Sequence, residues 1–251
     1  MTASHWRRIA SVAGLLAVWQ LLVQAGHINA LFLPGPLSVL GAMWQMTRSG
    51  ELPWAVLVSL NRVAQGFLYG ALAGIVLGLL AGAIRWVEDL LDPWVAAVYP
   101  IPKSALFPLF LLWFGLGDPS KIVTIAVGVL FLVLVNTVTG VRSINPTLLK
   151  AARDLGASRA QIFVKVILPG ALPNIFTGLR LGAGMALILV FITEIEATRA
   201  GLGFLLWEAF QLMDTRHVFV GVVTFGLLGV ATTWLLQWLE RVTCPWIQRS
   251  N

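Results

Sequence analysis

Ionisable side chains are scarce in this sequence, and the few inside apolar stretches are the ones whose position demands a chemical reason. Lys103 stands among prolines in the run 90–115, Asn136 sits in a long apolar run, and Glu194 and Glu196 close another. A charge at membrane depth is costly, so each is by default a functional candidate, here for lining a translocation path. A central cation suits an anionic solute. Glu194 and Glu196 are two residues apart and do not share a helix face, so only one turns easily inward. Their plainer reading is a pair of interfacial carboxylates reaching water or Arg199, and Asn136 is most simply an interhelical hydrogen-bond partner. Catalysis would need a nucleophile, acid/base pair or metal ligands converging at depth. The apolar runs hold no histidine, and HExxH and GxSxG are absent. Glu88, Asp89 and Asp92 cluster beside Arg85 at a turn, where solvated charge is the ordinary explanation. An intramembrane enzyme is therefore the weaker class.

The elements that hold these residues follow from composition. Of 251 residues, 58% are hydrophobic and 11% charged, with a mean hydropathy of +0.86. A soluble domain carries about a quarter charged residues, so a polytopic membrane protein is indicated. The single cysteine, Cys244, excludes an internal disulfide and argues against a thiol-based metal site. Five stretches are apolar enough to cross ~30 Å of hydrocarbon as helices: Ile9–Gly26, Leu60–Ile84, Ile122–Val141, Ile175–Ala197 and Val218–Leu239. A sixth, Leu90–Gly115, is broken by Pro93, Pro100, Pro102 and Pro108. The expectation is six spans, the third irregular. Between the first two spans Leu37, Leu40, Met43 and Trp44 recur at helical spacing, which predicts a short packing or interfacial helix.

With the N-terminus inside, the cytoplasmic segments collect Arg7, Arg8, Arg85, Arg142, Lys150, Arg153, Arg159, Lys165, Arg180, Arg241 and Arg249. The outer segments hold Arg48, Arg62, Lys121, Arg199 and Arg216. That asymmetry sets both termini in the cytoplasm and accounts for the net charge of +6 without nucleic acid. Arg7-Arg8 before an apolar run also fits a secretory signal, but Val23-Gln24-Ala25 is a poor cleavage site and a retained first helix is favoured. The tryptophans near span ends form an aromatic belt and imply no cofactor. Gly66, Gly70, Gly74, Gly78 and Gly82 recur every four residues, and Gly178 and Gly182 repeat the spacing later. Such stripes let helix backbones approach closely in lipid, where no hydrophobic drive brings them together.

One polar stretch interrupts this pattern, RSINPTLLKAARDLGASRAQIFVKVILPGALP from Arg142 to about Pro173. Asn145 caps a helix that begins at Pro146, and Gly156 closes it in a left-handed conformation. Ser158 and Gln161 form a capping box for a second helix, which Pro169 and Pro173 are expected to stop. Leu148, Ala152 and Leu155 share one face of the first helix, with Lys150, Arg153 and Asp154 spread over the rest. Two short amphipathic helices joined at a glycine make a docking element, or else a loop lying on the bilayer surface.

These residues resemble the cytoplasmic signature of ABC importer permeases: Glu-Ala-Ala, three residues, Gly, nine residues, Ile-x-Leu-Pro. Ala151, Ala152, Gly156, Leu168 and Pro169 match that pattern, while Lys150 replaces the glutamate and Val166 the isoleucine. LPGP at Leu33–Pro36, YPIPKSALFPLFLLWFGLGDPSK at Tyr99–Lys121, DLGASRAQIF at Asp154–Phe163, LPGALPNIFTGLRLG at Leu168–Gly182 and AGLGF at Ala200–Phe204 are similar to the nitrate/sulfonate/taurine branch. The resemblance implies an all-α protein of type I importer architecture, with residues 1–251 as one transmembrane permease domain and 142–173 as its cytoplasmic coupling segment. Lys150, Ala151, Ala152, Arg153, Asp154, Gly156, Ala157, Ser158 and Arg159 would meet the ATPase. The chain itself lacks the GxxxxGKS/T phosphate loop, so ATP and magnesium would belong to two separate ATPase subunits. One docking segment per chain implies a homodimer. A periplasmic or lipid-anchored binding protein would deliver a small, anionic solute to this inner-membrane permease in a bacterium. In the family, Glu194 falls on a common acid, whereas Lys103 stands where an uncharged residue is usual. An ion channel or secondary transporter would leave the docking segment without a purpose.

Overall fold

The computed structural model describes residues 3–246. Arg249, counted above among the cytoplasmic cations, lies outside the described residues, as do the side chains of His5 and Arg8. The described chain is helical, with no strand. Its helices are α1 (Ala3–Gln24), α2 (Pro36–Ser49), α3 (Glu51–Ala83), α4 (Arg85–Val98), α5 (Phe107–Phe114), α6 (Asp118–Arg142), α7 (Pro146–Asp154), α8 (Arg159–Ile162), α9 (Leu168–Ala197), α10 (Leu202–Gln211) and α11 (Thr215–Thr243). A 3₁₀ turn, Lys103–Leu106, precedes α5, and a π turn, Phe163–Ile167, joins α8 to α9.

Four helical runs among the described residues are long and apolar enough to cross a membrane: α3, α6, α11 and Arg159–Ala197. A fifth span requires Arg85–Val98 and Lys103–Phe114 to be counted together across a 91° bend. Six spans are thus not confirmed by length and composition among the described residues. α1 itself is 22 residues long, and within it Ala13–Gln24 is a shorter apolar helix. The break in the third span has a local cause. Pro102 disfavours helical geometry at Ile101 before it, and Pro108 restarts the helix in the first turn of α5, where its missing N–H costs nothing.

The chain forms two compact units. One takes residues up to Ser59 with Arg199–Gly226; the other takes Leu60–Thr198 with residues from Leu227 onward. In the first, α2 starts at Pro36 and ends at Gly50, whose φ of 83° supplies the left-handed cap. Its buried face is Val39, Ala42 and Met46, whereas Leu37, Leu40 and Trp44 stay exposed. The Gln20 side chain accepts the Leu37 N–H (3.1 Å), and Ser59 accepts the N–H of the fully buried Leu202 (2.8 Å).

In the second unit α6 is the central element. Ile125, Val129 and Val133 are fully buried along it, and the α3 glycine stripe runs against one side. A Cβ added at Gly66 would lie 2.6 Å from Ile125 Cβ, at Gly70 2.3 Å from the Ala126 carbonyl oxygen, and at Gly74 2.7 Å from that of Leu130. At Gly78 it would meet Thr137 and at Gly82 Val141, both at 2.6 Å. The other side of α6 takes α9, with Gly178 facing Asn136 at 2.9 Å and Gly182 facing Val129 at 3.1 Å. Gly128 and Gly140, on α6 itself, were not singled out by spacing, yet an added Cβ would sit 2.3 Å from Leu189 and 2.8 Å from Asn174. Close approach on both sides makes α3, α6 and α9 one tightly fitted layer.

Candidate functional site

The polar segment builds itself from local rules. Asn145 Oδ1 accepts the Thr147 N–H at 2.9 Å, and Pro146 occupies the first helical position. At the other end of α7, Gly156 adopts a φ of 79°. Its N–H donates to the Arg153 carbonyl (2.9 Å) and the Ala157 N–H to that of Ala152 (3.0 Å), a Schellman closure that satisfies two orphan carbonyls. The capping box is complete, with the Gln161 N–H on Ser158 Oγ (3.3 Å) and the Ser158 N–H on Gln161 Oε1 (2.8 Å). Every joint is therefore hydrogen-bonded, and the segment has a defined bend.

The second helix does not stop at Pro169 and Pro173. After one turn it passes through the π turn into α9, so that Arg159–Ala197 runs as one 39-residue helix. Pro169 lacks the N–H that would bond the Lys165 carbonyl, and its ring crowds that oxygen. Widening the preceding turn to π geometry relieves the crowding without ending the helix. Pro173 lies inside α9. The consequence is mechanical: the polar segment runs without a break into α9, a span packed along α6.

α7 buries no residue. Its apolar face is left open, with Leu148 57% and Leu155 87% exposed. Lys150, Ala151, Arg153, Asp154, Gly156, Ser158 and Arg159 are exposed, and Ala152 and Ala157 are half-buried. Nearby, Arg142 pairs with Glu88 rather than leaving that carboxylate to Arg85, and Arg180 pairs with Glu240 at 2.6 Å.

The polar candidates within the spans are not brought together. Lys103 Nζ lies 2.6, 3.0 and 2.9 Å from the carbonyls of Val98, Tyr99 and Ile101, and 4.8 Å from the Phe131 ring centroid. Three acceptors match the three donors of an ammonium. Lys103 thus closes the broken end of α4. Asn136 donates to the Leu132 carbonyl (2.8 Å) of its own helix rather than across to another. Glu194 is fully buried and binds Arg62 at 2.7 Å. Glu196, two residues on, is exposed. Arg62 also holds Asp118 at 2.8 Å and Thr198 at 3.3 Å, tying α3, α6 and the end of α9. Beside it Lys121, 1% exposed, donates to the Leu116 and Gly117 carbonyls (3.0 and 2.9 Å). Counting charges by side had set Arg62 and Lys121 aside as outer-face cations. Their signal was their position beside apolar runs, opposite a buried acid that needed a counter-charge. Among the described residues no group of three His, Cys, Asp or Glu side chains is placed to hold a metal.

Residues 74–243 match the family described as the binding-protein-dependent transport system inner membrane component. The chain belongs to that family. The permease is 37% identical over 234 residues to SsuC of Bacillus subtilis (strain 168), named for aliphatic sulfonates, covering 93% of this chain and 85% of that one. It is 35% identical over 243 residues to the taurine transport system permease protein TauC of Escherichia coli (strain K12), covering 95% and 88%. Its fold is similar to that of an amino acid ABC transporter solved with histidines, at a TM-score of 0.62 and 19% identity over 74% of this chain and 91% of that chain. The protein is thus a multi-pass ABC importer permease, a transport subunit.

Proposed function

We propose that residues 142–173 seat a separate ATP-hydrolysing chain, and that this permease moves its cargo only when that chain drives it. The observation that carries the reading is the open apolar face of α7. A helix that caps itself fully at both ends, yet leaves two leucines in water, is built to bury them on a partner. Lys150, Ala151, Ala152, Arg153, Asp154, Gly156, Ala157, Ser158 and Arg159 form or border that contact. ATP and magnesium bind the partner, and the continuous α8–α9 helix carries its closure into the layer around α6.

One such segment per chain supports a homodimer served by two ATPases, and the family description supports delivery by a binding protein. The eleven-to-five distribution of cations supports cytoplasmic termini in a bacterial inner membrane. The names of SsuC and TauC support a small solute bearing a sulfonate or similar anion. The path runs beside the broken α4–α5 pair, since irregular backbone at depth is tolerated only against protein or water. Lys103 caps the carbonyls at that break. Asn136 and Glu196 retain the freedom to meet cargo, whereas Glu194 serves the Arg62 cluster.

The test is uptake of labelled taurine, an alkanesulfonate and nitrate by cells carrying Gly156→Val. No atom lies within 4 Å of a Cβ at Gly156, so the substitution acts through the left-handed φ alone. That strain is roughly 1–2 kcal/mol and redirects the second helix. Membrane insertion is expected to survive while ATP-driven uptake is lost. Undiminished coupled uptake would contradict the docking role.

A further inference from the structure

A cleft of about 930 Å³ opens between the end of α3 and the segment carrying α7 and α8. Arg85, Arg153 and Arg159 line it, over a floor that includes Ile84, Ile162 and Phe163, and its described lining includes no Asp or Glu. All three arginines are exposed. The ion pairs nearby use other cations, Arg142 with Glu88 and Arg180 with Glu240. Three exposed guanidinium groups around one cleft give it a positive potential that favours an anion. The apolar floor adds a second requirement, because a bare inorganic anion leaves it wetted. An anion carrying hydrocarbon satisfies both. The size falls in the range of small-molecule sites, roughly 300–1,000 Å³.

We propose that this cleft binds the headgroup and upper acyl chain of an anionic phospholipid from the inner leaflet. The proposal rests on the cytoplasmic placement of residues 142–173 argued above. Basic clefts at span ends on the cytoplasmic side suit acidic lipid headgroups, each arginine near the surface adding about fivefold to binding. Arginine also matches phosphate with paired donors. α7 can serve lipid and ATPase at once, because its residues advance about 100° each. Arg153 therefore lies about 140° around the helix from Leu148 and about 160° from Leu155. The leucines face away from the cleft that the arginine enters. A bound lipid would brace α7 from behind while the partner presses on its front.

The experiment is lipid retention by the purified full-length permease in nanodiscs of phosphatidylcholine alone or mixed with phosphatidylglycerol, followed by detergent exchange and mass spectrometry of bound lipid. The wild type is expected to keep phosphatidylglycerol in preference to phosphatidylcholine and to release it in 1 M salt, where the Debye length falls to about 3 Å. R85Q/R153Q/R159Q should bind it on the order of a hundredfold more weakly. R85K/R153K/R159K should retain most of the binding, which separates lost charge from lost fold. Inorganic phosphate at millimolar concentration should not displace the lipid. Equal retention of both lipids, retention unchanged in the glutamine variant, or displacement by phosphate would overturn the proposal. Because no ATPase is present, failure here leaves the docking reading standing, and failure of docking leaves lipid retention standing.

Discussion

Replacing Arg62 with methionine removes a cation paired at 2.7 Å with a fully buried carboxylate. Arg62 and Glu194 side chains are 5% and 0% exposed and 2.7 Å apart. Breaking such a pair by deleting one partner costs about 3–5 kcal/mol, because the other charge stays behind in a dry site. Glu194→Gln is the milder change. Arg62 keeps its 2.8 Å contact with Asp118, which is half exposed, and its 3.3 Å contact with Thr198. The cost there is that of a weakened buried hydrogen bond, about 1–3 kcal/mol. The two single variants should therefore differ by roughly 2 kcal/mol. The double variant R62M/E194M should recover at least half of the R62M loss, since an apolar pair of similar volume is near neutral. Denaturant unfolding followed by tryptophan fluorescence in one fixed micelle gives all four corners of the cycle. An R62M protein within about 1 kcal/mol of wild type, or a double variant no more stable than R62M, would refute the assignment of Arg62 as the counter-charge that Glu194 requires.

Two further predictions concern packing and pH. Gly70→Ala puts a methyl 2.3 Å from the Ala126 carbonyl oxygen and should destabilise by more than about 2 kcal/mol, whereas Gly184→Ala, with nothing within 4 Å, should be neutral or stabilising by up to about 1 kcal/mol. Thermal unfolding of the two variants side by side checks the difference. At the turn into α11, burial works to raise the Asp214 pKa, but hydrogen bonds from the His217 side chain and backbone and attraction from His217 and Arg216 prevail and hold it below the usual carboxylate value. A depressed carboxylate stabilises the fold above its unfolded pKa and loses that contribution as pH falls through the lower folded value. The protection factor of the His217 amide, 3.4 Å from Asp214 Oδ1, should fall on acidification below the ordinary carboxylate range in wild type. Asp214→Asn should abolish that acid-dependent step.

Much of the polar segment 142–173 was legible in the sequence because capping is local. Asn145 with Pro146, Gly156 and the Ser158–Gln161 pair each act over two to five residues, and each forms the bond that its type and position foretell. The glycine stripes were legible for a similar reason, since a four-residue repeat maps onto one helix surface. What escaped depends on distant partners. Arg62 and Glu194 are 132 positions apart, and nothing near either residue names the other. The two prolines looked like a helix stop until the π turn before Pro169 accommodated them. On α2 the exposed face carries Leu37, Leu40 and Trp44 while Val39, Ala42 and Met46 are buried, because periodicity finds an apolar face without saying what covers it. Lys103 read as a free cation at depth, and the carbonyls released by the proline break took all its donors.

The central claim is that α7 holds a nucleotide-hydrolysing chain by its two open leucines. Its most direct measurement is quantitative co-purification from native membranes of wild type against Leu148→Asp/Leu155→Asp. The wild type should bring down a separate ATPase in stoichiometric amount, and the variant should insert normally yet recover at most about one-tenth as much, since burying two carboxylates opposes the contact by well over 1.4 kcal/mol. Equal recovery of the ATPase with both proteins would contradict the account.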